Sequence, residues 1–200
     1  MTAPRKETLA AGLAEPVYDS QAVFRAVLNA FSRPGRIATV ATGIEPPSPV
    51  HAATAAIALS LFDLSTPYWI DPALDGNAVI DYIGFHSGAR PTETPNKSTF
   101  AILRGSDNAV AWDAFAIGTP DYPDRSTTLI IQVDDLREDG PVKLTGPGIK
   151  TEHHVRINGI DDAFWSSRHE NAQLYPLGTD IILVAGARMI CLPRTTRVEV

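Results

Sequence analysis

Residues 175–200 read YPLGTDIILVAGARMICLPRTTRVEV, and this stretch decides the fold class. Thr179–Ala185 is almost wholly apolar and has the length of a strand, which predicts a β-strand buried on both faces. Gly186-Ala187 interrupts it, and Met189–Leu192 is apolar again, so a hairpin or close connection returns the chain beside the first strand. A rigid polar corner follows, Pro193-Arg194-Thr195-Thr196, then a short alternating end through Val200. Arg194 and Arg197 therefore emerge directly from the interior of a sheet.

Working outward, Thr127–Val133 (TTLIIQV) is the next clear central strand, dense in β-branched residues. Shorter strands are expected at 36–40, 68–70, 99–103, 142–145 and 155–157. A helix is expected from about Ser20 to Phe31, capped by Asp19 or Ser20 and stopped by Pro34-Gly35. Its stripe of Val23, Phe24, Val27, Leu28 and Phe31 is assigned to the core, with Arg25 and Arg33 on the opposite side. Val50–Asp63 is apolar nearly all round and reads as a buried helix, with His51 in its first turn as a packed or partly exposed side chain. Residues 77–86 fit either helix or strand, and 108–114 a short helical segment. Asp134–Gly140 reads as an acidic solvated connection, and a last helix runs from Asp161 or Asp162 to about Ala172 with Trp165 partly buried. Helices interleaved with short strands predict an α/β domain: one layered domain over 16–200 with a mixed, mostly buried sheet flanked by helices, behind a loosely ordered start at 1–15.

Composition narrows the function. A net charge of −6 argues against a general nucleic-acid or anionic-membrane binder, because phosphate surfaces demand clustered cations. The longest apolar run, 52–62, is too short to span a bilayer, and MTAPRKETLAAGLAEP lacks a signal-peptide core, so the cytoplasm is the expected location. The single cysteine, Cys191, lies between Ile190 and Leu192 and reads as a small buried hydrophobe. There is no GxGxxG, P-loop or GxSxG pattern, and His153-His154 and His169-Glu170 lack metal-ligand spacing, so neither a catalytic nor a metal assignment is made. None of the four lysines, Lys6, Lys97, Lys143 and Lys150, has a setting that marks a Schiff-base residue. Arginines at corners and on helix faces remain, suited to carboxylate or phosphate recognition and equally to ion pairs and interfaces. For Arg194 the two readings stand level.

An ordered set of motifs then carries a resemblance. These are Gln21–Gly35 (QAVFRAVLNAFSRPG), Thr66–Ile70 (TPYWI), Phe85-His86, Thr99–Ala101, Gly118-Thr119, 127–133, Leu144–Ile149 (LTGPGI), Tyr175–Gly178, Asp180, and Pro193-Arg-Thr-Thr-x-Val. Together they resemble the PhnH family, a component of the bacterial carbon–phosphorus lyase complex, over about Val17–Val200, with Tyr175 standing where phenylalanine is common. The resemblance implies a reduced version of the pyridoxal-phosphate-dependent transferase fold without the cofactor, and no cofactor of any kind. It implies a homodimer that docks with subunits G, I and J, no nucleic acid and no membrane. The implied role is auxiliary and non-catalytic. The assembly converts ATP and an alkylphosphonate into ribose 1-alkylphosphonate 5-triphosphate, releasing adenine, before a radical step in another subunit cleaves the carbon–phosphorus bond. The alternative is an arginine-lined phosphonate or nucleotide site within that assembly. Candidate pocket or interface residues are Arg25, Arg33, His86, Gly118, Thr119, Gly146, Gly148, Asp180, Arg194, Thr195 and Thr196.

Overall fold

The computed structural model describes residues 9–41, 43–74, 76–105 and 114–200. The C-terminal hairpin forms as its pattern requires: β7 (Asp180–Ala185) and β8 (Arg188–Leu192) pair antiparallel, from Ile181 opposite Leu192 to Ala185 opposite Arg188. Gly186 makes the turn at a φ of 61°, a left-handed conformation that favours a residue without Cβ. On the other side of β7 lie three strands parallel to it and to one another: β4 (Thr128–Gln132), β3 (Phe100–Arg104) and β2 (Tyr68–Ile70). A two-residue β1 (Ala38–Thr39) closes the β8 edge antiparallel, giving the mixed order β1-β8-β7-β4-β3-β2.

Alternate residues of the central strands feed two cores. Ile102, Ile130, Ile182, Val184, Met189 and Cys191 face one side. There they meet α1 (Pro16–Ser32), α2 (Ala52–Leu61) and α3 (Asn77–Ser87). Each Ile or Leu so enclosed contributes about 2 kcal/mol of apolar transfer. The six residues Ala53–Ala58 of α2 are all buried, as its apolar circumference predicts, and its alanines let the helix lie close to the sheet. Residues 77–86, open between helix and strand in the sequence, are helical in α3, which Gly88 ends in the left-handed region at a φ of 76°.

Helix α1 departs from expectation in two ways. It begins at Pro16, whose fixed φ and missing N–H suit a first turn. The expected capping role of Asp19 or Ser20 is therefore not met: Asp19 lies inside the first turn, where its carboxylate accepts from the N–H of Glu15 at 2.9 Å. The second departure concerns the apolar stripe. Val23, Val27 and Ala30 are buried, and Phe31 packs at the margin, but Phe24 and Leu28 are 52% and 58% exposed. The assignment of these two to the core is corrected.

The opposite face of the main sheet is covered by a second sheet, which the expected single-sheet architecture lacked. It consists of β5 (Asp135–Thr145), β6 (His153–Asn158) and β9 (Arg197–Glu199), all antiparallel in the order β6-β5-β9. The supposed connection 134–140 is therefore mostly strand. Its polar residues, such as Arg137 and Asp139, are exposed, while Leu136 points inward with Val142, Leu144, Val155 and Ile157. Helix α4 (Asp162–Gln173) completes this layer, capped by the Asp161 carboxylate accepting from the N–H of Phe164 at 2.9 Å. Trp165, expected to be partly buried, is enclosed with Phe164 in the second core.

The expected loose start falls partly on residues 1–8, outside the described residues. Farther on, Tyr82 of α3 donates to the Ala11 carbonyl at 3.1 Å, the His86 ring lies 3.0 Å from that of Ala10, and Ala10 and Leu13 pack on the first core. The helical segment expected at 108–114 lies outside the described residues except for its last position.

Candidate functional site

The Pro193–Thr196 corner sits where the main sheet hands the chain to the small one. Asp180 begins β7, and its carboxylate receives Arg194 three ways: the backbone N–H and Nε reach Oδ1 at 2.7 and 3.3 Å, and Nη2 reaches Oδ2 at 2.7 Å. The same guanidinium donates through Nη1 to the carbonyls of Pro123 and Pro176 at 2.7 and 3.3 Å, and through Nη2 to Ser126 Oγ at 2.7 Å. Its donors are directed to the chain itself, and the Arg194 side chain is only 14% exposed. Of the two readings level in the sequence, the internal one describes this geometry: Arg194 ties the hairpin to the loop at 118–125.

Behind the corner lies Arg168, a residue sequence reasoning passed over. It projects from α4 into full burial and donates through Nη2 to the carbonyls of Pro193 and Thr196, the latter at 3.0 Å. Burial lowers its pKa to about 10, opposed by the attraction of Asp180 and reinforced by the repulsion of Arg194. Gly146, at a φ of 130°, completes the corner, because a Cβ there would meet the Thr195 carbonyl at 2.9 Å. Gly146, Asp180, Arg194, Thr195 and Thr196 thus converge, with Gly118 and Thr119 in the neighbouring loop that Arg194 grips through Pro123. Thr119 closes a tight turn there, its backbone exchanging bonds with Tyr122 at 3.0 and 3.1 Å.

Arg33 and Gly148 meet elsewhere. At the end of α1, a cleft of about 390 Å³ is lined by Arg33, Arg36, Lys150, Glu152 and His153 around the turn at Gly148. Gly148, at a φ of 84°, brings this turn against Ser32, whose carbonyl would lie 2.5 Å from an added Cβ. Arg36 is paired with Glu138 at 2.6 Å. His153 has its pKa lowered by burial and then by the nearby Arg36 charge, with its Nε2 3.2 Å from the Gly35 carbonyl. Arg33, Arg36 and Lys150 outnumber the lining Glu152, and with Arg36 already paired to Glu138 the cleft is modestly basic on an acidic protein. Arg25 is exposed on α1, and His86 packs edge-on against Tyr82 and Phe85, with centroids 4.8 and 5.0 Å away, so neither joins the corner or the cleft.

Two further features had weaker sequence signals. Val17, 78% exposed, continues the line of Phe24 and Leu28 along α1, with Tyr18, 74% exposed, to one side. Successive spacings of seven and four residues place Val17, Phe24 and Leu28 on one face, roughly a third of a turn from the buried one. The other feature is a cleft at the carboxyl ends of the parallel strands that includes His51, Arg104, Gln132 and Asp134. A glutamine inside the apolar run 129–133 was its one signal in the sequence. Among the described residues no group of three or more His, Cys, Asp or Glu side chains comes together as a metal site, and no helix is long and apolar enough to cross a membrane.

Comparison with known proteins places the whole chain. Residues 11–199 match the family described as "Bacterial phosphonate metabolism protein (PhnH)". The chain is 39% identical to the alpha-D-ribose 1-methylphosphonate 5-triphosphate synthase subunit PhnH of Rhizobium meliloti (strain 1021), over all of this chain and 99% of that protein. It is 31% identical to the putative C-P lyase subunit protein HtxG of Stutzerimonas stutzeri, over 90% of this chain and 85% of that protein. With a match over nearly its full length and its motifs in the family's order, the chain belongs to the PhnH family of bacterial phosphonate metabolism proteins.

Proposed function

We propose that this chain is an auxiliary, non-catalytic subunit of a phosphonate-processing assembly in the cytoplasm. The assembly couples ATP and alkylphosphonate to ribose 1-alkylphosphonate 5-triphosphate with release of adenine, and the chain works there as a homodimer alongside subunits G, I and J. The name of the Rhizobium meliloti relative, a subunit of such a synthase, supports this reading. On this view residues 16–200 form one domain, a reduced relative of the pyridoxal-phosphate transferase fold.

The observation that carries the docking role is the exposed face of α1. Val17, Phe24 and Leu28 form one apolar stripe, flanked by Tyr18, that no described residue of the chain covers, as expected of a surface that another polypeptide closes. Phe24→Glu should leave the fold intact, since the side chain is half exposed, and should abolish either self-association or capture of the other subunits. Light scattering of the purified chain and co-purification from cells grown on phosphonate read the two separately. Parental behaviour of the variant in both assays would refute the role of α1.

The basic cleft at the end of α1 supports a second reading, an arginine-lined site for a phosphonate or nucleotide. Calorimetry with ATP and methylphosphonate on the assembled complex should then show binding weakened about ten-fold by Arg33→Ala, the loss of one charge-assisted contact. Unchanged binding would remove this reading.

A further inference from the structure

We propose that the cleft at the carboxyl ends of β2, β3, β4 and β7 binds a small metabolite carrying an oxyanion at one end and a hydroxyl or amino group at the other. These four strands are mutually parallel, so their carboxyl ends lie along one edge of the sheet. In open α/β sheets that edge is where connections leave a crevice and where ligands collect. Here every strand end contributes to it: Ala73 and Leu74 follow β2, Arg104 ends β3, Gln132 ends β4 with Asp134 just beyond, and the end of β7 holds His51.

Of the polar groups, Gln132 is built in and His51 is half-buried, while Arg104 and Asp134 are exposed. Gln132 is 5% exposed. Its Oε1 accepts from the His51 N–H at 2.6 Å, and its Nε2 donates to the Pro49 carbonyl at 3.2 Å. Both ends of the amide are used in fixing the entrance to α2 over the strand ends. Gln132 is therefore a positioning residue. A leucine there would suit the core as well but would leave residues 49–51 unanchored.

His51 is oriented from its other side. Nδ1 lies 3.3 Å from both the Gly186 N–H and the Val184 carbonyl, so the β7–β8 turn holds this side of the ring in either neutral tautomer. Nδ1 is thus held by the β7–β8 turn, and Nε2 remains for the cleft, carrying the proton when Nδ1 accepts from Gly186. Arg104 lines the same space, its backbone N–H 3.4 Å from Asp71 Oδ2. Asp134 supplies a carboxylate, and Leu74 and Pro49 give an apolar wall. A guanidinium and an imidazole N–H suit an oxyanion, and the carboxylate suits a hydroxyl or amine. The cavity is about 280 Å³, at the lower limit of small-molecule sites, which favours a ligand of sugar-phosphate size over a nucleoside triphosphate. This site is separate from the α1 cleft and does not depend on docking.

The test is titration of the full chain with ribose 5-phosphate and with inorganic phosphate, followed by NMR of the histidine rings and by calorimetry. Ribose 5-phosphate should shift the His51 ring resonances, a readout that needs no variant. His51→Gln and Arg104→Met should each weaken both probes about ten-fold, one lost charge-assisted contact apiece. Asp134→Asn should weaken only ribose 5-phosphate, whereas Arg33→Ala should leave the shift of the His51 ring by both probes unaffected. If neither probe moves the His51 ring, or if Arg33→Ala abolishes that shift, the assignment is overturned. Retained capture of partner subunits by His51→Gln would show that docking stands apart from this site.

Discussion

Arg194→Ala is expected to cost the folded chain about 3 kcal/mol, the scale for removing one partner of a largely buried ion pair. Asp180 would keep only the Arg194 backbone N–H of its three contacts, and the carbonyls of Pro123 and Pro176 and the Ser126 hydroxyl would lose their donor. The Arg194 and Asp180 side chains are 14% and 25% exposed, so water replaces these contacts poorly. Arg194→Lys should recover only part of the loss, because one ammonium cannot reach a carboxylate, a hydroxyl and two carbonyls in the planar fork a guanidinium provides. Urea denaturation of the isolated chain, without ligand, measures both. A loss below about 1 kcal/mol, the scale of an exposed pair, would show that the corner does not depend on Arg194.

Arg168→Ala should cost as much or more, about 3–5 kcal/mol. The substitution deletes a fully buried long side chain and the donor to the Pro193 and Thr196 carbonyls. Arg168→Met separates the contributions. Among the described residues, Nε and Nη1 of Arg168 have no hydrogen-bond partner, so methionine fills similar space while removing a desolvated charge and two unsatisfied donors. It should cost only about 1–2 kcal/mol, the scale of the lost hydrogen bonds. If methionine costs nothing in the same urea experiment, the guanidinium is not bracing the corner.

Both predictions concern the stretch from which the fold could be read. The pattern of 179–192 was legible because seven nearly continuous apolar residues have few stable placements other than a strand covered on both sides. The second sheet was not legible for the converse reason. One face of β5 is solvated, so its sequence is polar, and a register shift between Arg137 and Val142 breaks the alternation that would have marked it. In α1 the spacing of apolar residues identified the helix but could not say which apolar face meets the sheet. Val23 and Val27 went to the core, while Phe24 and Leu28 stayed outside.

The sites divide along the same line. Arg194 and Asp180 could be singled out because they flank recognisable strand ends, and their 14-residue separation is closed by one hairpin. His51 and Gln132 could not, because they are 81 positions apart and only the assembled sheet brings them together. Arg168 left no trace in the periodicity, since an arginine on a helix is ordinarily solvated.

The auxiliary role is tested most directly by turnover. ATP and methylphosphonate are supplied to the isolated chain, to subunits G, I and J together, and to all four, and adenine release is followed. If the role is auxiliary, release requires the other subunits, rises on adding this chain, and is absent with the chain alone. Adenine release by the isolated chain would contradict it.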